Sequence, residues 1–199
     1  MNKIPQAFSG KKALIAYLTA GDPCLDKTKD FILSLAKNGA DLIEIGIPFS
    51  DPIAEGEVIQ NAMERALKND ITIDNIFTMV AEIRKGTNIP LLFMTYLNPV
   101  FSYGYARFFK KCKETGLDGI IVPDMPFEEQ GEIKEFAQKN DVSLITLIAP
   151  TSKERIAMLA KNAEGFIYLV SSLGVSGVRE KITTDIGTIC ADIRAVSQT

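Results

Sequence analysis

Six short, almost wholly apolar runs alternate along this chain with longer amphipathic stretches, and they occupy residues 13–18, 42–47, 90–96, 119–122, 143–149 and 165–170. Their length and their content of Ile, Leu and Val predict strands buried on both faces, as in a parallel sheet. After the second run, Val58, Ile59, Ala62, Met63, Ala66 and Leu67 recur at helical spacing, with Glu64, Arg65 and Lys68 on the other side. That spacing predicts one amphipathic helix. Ile76, Phe77, Val80 and Ile83 predict a second helix directly behind it, so the crossover to the third strand is a double one.

Boundary residues agree with this parse. Asp22 before Pro23 predicts an N-cap with a first-turn proline, Thr151 to Glu154 a capping box, and Asn38, Gly39 and Gly116 helix ends. Strand starts recur at roughly 25-residue intervals outside the double crossover, the spacing of repeated βα units around a parallel sheet. A doubly wound sheet and a (β/α)8 TIM barrel both fit that description. Because a barrel typically takes about 250 residues, the barrel reading makes residues 1–199 one domain covering about six of the eight βα units. On that reading the chain is truncated before strands 7 and 8.

Composition narrows the chemistry. The chain is 46% hydrophobic and 24% charged, with 22 basic and 25 acidic residues and a net charge of −3. No positive field exists to draw in nucleic acid or an anionic membrane. There is no histidine, which removes Ser/His and Cys/His nucleophile pairs and leaves proton transfer to carboxylates, Tyr, Lys or Cys. Cys24, Cys112 and Cys190 are odd in number and lie roughly 80 residues apart, so they predict neither a disulfide framework nor a metal cluster. No metal site is expected. The start lacks the apolar core of a signal peptide, and no apolar run approaches the roughly 20 residues of a membrane span, so a cytoplasmic location is expected. Glycine-rich nucleotide-binding motifs are absent from the sequence.

In parallel α/β folds ligands bind at the carboxyl ends of the strands. Glu44 interrupts the second apolar run and shares a strand face with Leu42 and Gly46, so its carboxylate is expected to point into the most buried layer. Burial raises a carboxyl pKa, which suits a general acid or base near neutrality; a packing Glu bonded to backbone or to an Arg is the plainer alternative. The loop 48–56 holds Asp51 and Glu55, either of which could supply a second carboxylate, or merely cap a turn and sit in a first helical turn. Asp124 ends the fourth strand, and Tyr17, Tyr96 and Tyr168 lie in or at the ends of the first, third and sixth. Each Tyr is a pocket-mouth residue or an aromatic filler. The segment 171–177, polar and glycine-bearing after a strand, is a weak candidate for phosphate binding through backbone N–H groups.

The stretch 42–52, Leu-Ile-Glu-Ile-Gly-Ile-Pro-Phe-Ser-Asp-Pro, with Gly56 and residues 59–62 behind it, closely resembles the signature of the tryptophan synthase alpha chain family. Residues 18–23, 94–101, 122–126 and 168–177 resemble that family's first, third, fourth and sixth strand-loop segments, in the same order. The resemblance implies a (β/α)8 barrel that cleaves indole-3-glycerol phosphate to indole and glyceraldehyde 3-phosphate, a carbon–carbon lyase of tryptophan biosynthesis. It implies no cofactor in this chain, with pyridoxal phosphate held by a partner beta chain in an alpha2beta2 heterotetramer. Glu44 falls on the family's general acid/base. Glu55 falls on the second catalytic carboxylate, where the family has Asp. Tyr17 and Tyr96 match positions lining the indole slot, Asp124 a polar residue at its rim, Tyr168 a residue beside the catalytic Glu, and Gly177 a phosphate-binding glycine. Residues 48–56 and 98–104 match the partner-facing surface. Two other readings remain: a catalytically weak allosteric activator of the beta chain, and another phosphate-binding barrel of aromatic amino acid synthesis, which the lack of Lys in the apolar runs disfavours.

Overall fold

The computed structural model describes residues 2–171 and 184–199. After a short helix α1 (Ile4–Ala7) the strands are β1 (Ile15–Thr19), β2 (Leu42–Gly46), β3 (Leu91–Met94), β4 (Gly119–Ile121), β5 (Ser143–Ile148) and β6 (Glu164–Leu169). Between β1 and β2 runs α2 (Leu25–Lys37), and between β2 and β3 run α3 (Glu57–Leu67) and α4 (Ile73–Ile83), the double crossover expected from the apolar spacing. A second double crossover, α5 (Leu97–Tyr103) and α6 (Tyr105–Thr115), joins β3 to β4. The helices α7 (Gly131–Lys139), α8 (Lys153–Lys161) and α9 (Ile186–Arg194) follow β4, β5 and β6.

All five strand pairings are parallel, and the order across the sheet is β1-β2-β3-β4-β5-β6. That strictly sequential order decides between the two architectures. A doubly wound sheet reverses its strand order at a switch point, whereas a barrel does not. The packing says the same. Leu42, Leu92, Ile121, Ile145 and Phe166, one inward residue from each of β2 to β6, meet Ile4 in a single buried cluster, with Ile15 of β1 packed against it. Strands lie about 4.8 Å apart, so a flat six-stranded sheet would hold its edges about 24 Å from each other; one cluster drawn from six strands requires the sheet to curl. The described strands form a curled part-barrel with α1 plugging its lower end. The larger cluster, with Ile43, Ile45, Phe93, Phe108 and Ile120, lies on the outer side under the helices.

Several local expectations shift. β1 and β6 are half-buried instead of buried on both faces, because each pairs with only one described strand. In α3 the burial is carried by Met63 and Ala66, while Val58 is 79% exposed; the helix touches the barrel along a narrower stripe than its apolar residues suggest. The cap of α2 is Cys24, not Asp22, whose carboxylate instead pairs with Arg65 of α3 at 2.7 Å. Ser152, one residue after Thr151, caps α8, and the capping box of this fold is Thr72 with Asn75 at the start of α4. At the lower rim Arg84 donates to the carbonyl of Gly116 at 2.7 Å and to the carboxylate of Asp118, which is 3% exposed. Among the described residues no helix is long and apolar enough to cross a membrane.

Candidate active site

β2 places Glu44 on the inward face, between Leu42 below and Gly46 above, as the alternation of a strand dictates. Its residue is 3% exposed, and among the described residues its Oε1 has no hydrogen-bond partner. A carboxylate in that position is costly, so burial pushes the pKa from an ordinary 4.5 up to about 7. Among the described residues no arginine or lysine offsets the effect. Among the described residues no backbone group or Arg bonds its Oε1, as the packing alternative raised from sequence would require.

In the loop after β2 the two acids differ in burial and in partners. Asp51 is exposed and accepts from the hydroxyl of Ser50. Glu55 is 2% exposed and accepts from the hydroxyl of Tyr96. Tyr96, at the end of β3, accepts in turn from the backbone N–H groups of Ile53 at 2.9 Å and Ala54 at 2.8 Å. The side chain of Gln60 donates to the Glu55 carbonyl at 2.8 Å, and the ring of Phe49 packs on that of Tyr96 with centroids 5.2 Å apart. The loop is thus buckled to β3 from both sides. Burial and the Glu55 carboxylate push the Tyr96 phenol up, so it remains a donor.

Tyr17 of β1 is the register partner of Glu44. Its hydroxyl lies 3.3 Å from that of Thr19, and burial, reinforced by the charges of Glu55 and Glu44, pushes its pKa up to about 12. Tyr168 of β6 is raised by burial and by Glu44. The two carboxylates, Tyr17, Tyr96 and Tyr168 therefore share one end of the barrel, the carboxyl end of the strands. Beside them opens a cavity of about 530 Å³ whose wall includes Ala54, Met94, Phe127, Leu147 and Tyr168. Met94 is the register partner of Gly46, which brings that wall against the strand carrying Glu44. Such a volume suits a small ligand.

Asp124 is half-buried and turned to the start of α5, where its two carboxylate oxygens accept from Leu97 N–H at 3.0 and 3.2 Å. It serves as the cap that Tyr96, the N-cap residue by position, does not supply. Gly177 lies outside the described residues, as do the other residues of 172–177. What sequence reasoning missed was the strut role of Tyr96 and the involvement of Met94 and Gln60; their partners lie in other elements, so no local signal marked them. Among the described residues no three His, Cys, Asp or Glu side chains gather where they could hold a metal ion.

Comparison with known proteins places this geometry. The family model of the tryptophan synthase alpha chain matches residues 6–199. The tryptophan synthase alpha chain of Caldanaerobacter subterraneus subsp. tengcongensis is 48% identical over 191 residues, 94% of this chain and 73% of that relative. The one from Lactiplantibacillus plantarum is 49% identical over 195 residues, 98% of this chain and 74% of the relative. Among solved structures, the alpha subunit from Legionella pneumophila str. Paris superposes with a TM-score of 0.87 at 39% identity, covering 100% of this chain and 76% of that one. A chain of the tryptophan synthase a2b2 complex of Pyrococcus furiosus superposes with a TM-score of 0.85 at 38% identity, covering 94% of this chain and 75% of that one. With the sequential part-barrel and the two buried carboxylates, these matches show that the chain belongs to the tryptophan synthase alpha chain family.

Proposed function

We propose that this chain carries the lyase half of tryptophan synthesis, the retro-aldol cleavage of indole-3-glycerol phosphate to indole and glyceraldehyde 3-phosphate. The observation that carries the reading is Glu44, a buried carboxyl inside the barrel whose Oε1 has no partner among the described residues and whose pKa is pushed up to about 7. At that pKa both protonation states are populated near neutrality, which a group that both gives and takes a proton requires. The reaction needs a proton delivered to indole C3 and one removed from the glycerol hydroxyl next to the bond that breaks. The electrons of the C3–carbon bond return to the ring, the hydroxyl-bearing carbon becomes the aldehyde, and the proton count balances. Glu44 is assigned that shuttle.

Glu55 is assigned the indole N–H, accepting from it and stabilising the positive charge that builds on the ring after C3 protonation. Its carboxylate has lone pairs left after the Tyr96 bond. Tyr17, Tyr96 and Tyr168 are assigned to the walls around the ring, and Gly177 to the phosphate. Asp124 is assigned the positioning of α5. The chemistry needs no cofactor bound by this chain.

The family and the a2b2 complex of Pyrococcus furiosus support a beta chain as the partner, met by residues 48–56 and 98–104. Ile53 and Phe101, in these two segments, are 71% and 66% exposed, as an unoccupied docking face would be. The place of action assigned is the cytoplasm. Survival only as an activator of the beta chain would leave Glu55 without a reason to be buried and buckled, so the catalytic reading is preferred. The test is indole release from indole-3-glycerol phosphate, measured for the chain alone and with a beta chain. Release that rises with the partner supports the reading; stimulation of the beta reaction without any release supports the activator instead.

A further inference from the structure

We infer that Gly46 is a positioning residue of this site: its missing side chain is the seat on which the Tyr17 phenol rests, and that seat holds Tyr17 beside Glu44 and Glu55. The inference rests on the lyase reading for its consequence and on geometry for its substance.

Gly46 lies in β2, in a regular parallel pairing with Thr19 on one side and Met94 on the other. Among the described residues six other glycines adopt positive φ, where a side chain is strained; Gly46 is in extended strand backbone that alanine accepts without penalty. The reason for a glycine must therefore lie in the space around it. A Cβ placed there would overlap the Tyr17 hydroxyl and stand 2.7 Å from Cζ and 2.9 Å from Cε2. Carbon atoms at rest keep about 3.5–4.0 Å, so the methyl group and the seated phenol exclude each other. What has to move is the far end of one side chain and no backbone atom.

The consequence follows from where the ring sits. Tyr17 is paired in register with Glu44, and its hydroxyl reaches toward Thr19, the residue opposite Gly46. The phenol thus leans along the strands over Gly46, on the same face as the Glu44 carboxyl and within the electrostatic reach of both Glu44 and Glu55. Seated, it lies over Gly46 beside Glu44. A methyl group at position 46 turns the ring out of that place, which changes both the room beside the carboxyl and the solvation of the proton-transferring group.

The test is a double-mutant cycle with Gly46→Ala and Tyr17→Val, run on the chain with a beta chain present. Gly46→Ala is expected to lower kcat/KM for indole release at least about tenfold, since displacements near 1 Å cost on that scale. The midpoint of its pH profile should fall, because a better-solvated Glu44 ionises more readily. In the Tyr17→Val background the same alanine is expected to change kcat/KM less than about twofold. Thermal melting provides an arm independent of activity: the alanine should lower Tm only when Tyr17 is present. Equal losses in both backgrounds, or no loss with Tyr17 in place, would overturn the inference. A wild-type chain that releases no indole would overturn the lyase reading and the catalytic consequence with it, while the Tm coupling still decides whether the seat exists.

Discussion

The hydroxyl of Tyr96 donates to the carboxylate of Glu55 while accepting the backbone N–H groups of Ile53 and Ala54 at 2.9 and 2.8 Å. One phenol thus fixes the height of the acidic loop and the direction of its buried carboxylate. Glu55 has one methylene more than the Asp that the family resemblance implies at this position, and Tyr96 supplies a contact that holds its carboxylate in place.

Tyr96→Phe is expected to keep the ring packing on Phe49 and lose all three hydrogen bonds. Buried polar groups left unpaired cost about 1–3 kcal/mol each, and partial relaxation of the loop should leave a net loss of about 2 kcal/mol. Urea denaturation measures this. Indole release should fall more than about tenfold through misplacement of Glu55, and a variant as active and stable as wild type would remove Tyr96 from this role.

Glu44 makes a prediction about stability and pH. Its folded-state pKa is about 7 against an ordinary 4.5, so between those values the folded chain holds more protons than the unfolded one. Folding stability must then fall as pH rises through that window, by about 3 kcal/mol at most. Glu44→Gln removes the effect. Relative to wild type, the variant should gain stability between pH 4.5 and pH 8, as read from denaturation midpoints at a series of pH values. Parallel stability curves for the two proteins would show that Glu44 is not perturbed.

Asp124 accepts the N–H of Leu97 at the start of α5. Asp124→Ala is expected to cost about 1 kcal/mol, the usual cost of a lost helix cap. Indole release at saturating substrate should change less than about threefold if its work is confined to that cap. A collapse of kcat with unchanged stability would place Asp124 on the substrate.

How much of this was legible in the sequence depends on where each residue's partner lies. The strands were plain because apolar runs bounded by Gly, Pro and Asp report burial directly, and Glu44 stood out as the lone carboxylate within such a run. The choice between Asp51 and Glu55 was not legible. Both have an ordinary local explanation, and what sets Glu55 apart is its bond to Tyr96, 41 residues away. For the same reason the cap that Asp124 supplies was not legible: its partner is a backbone N–H in another βα unit. α1 has only four residues and no period to read, yet its Ile4 is wholly buried under the barrel. The half-burial of β1 and β6 follows from sheet position, which no run of residues encodes.

The most direct test of the account is indole release by Glu44→Gln, which removes the ionisable proton and almost no volume. The account predicts a fall of at least about 100-fold, the scale of general acid–base catalysis, with the far-UV spectrum and cooperative unfolding retained. A folded variant that keeps more than about a tenth of wild-type activity would contradict the assignment of Glu44 as the proton-transferring group.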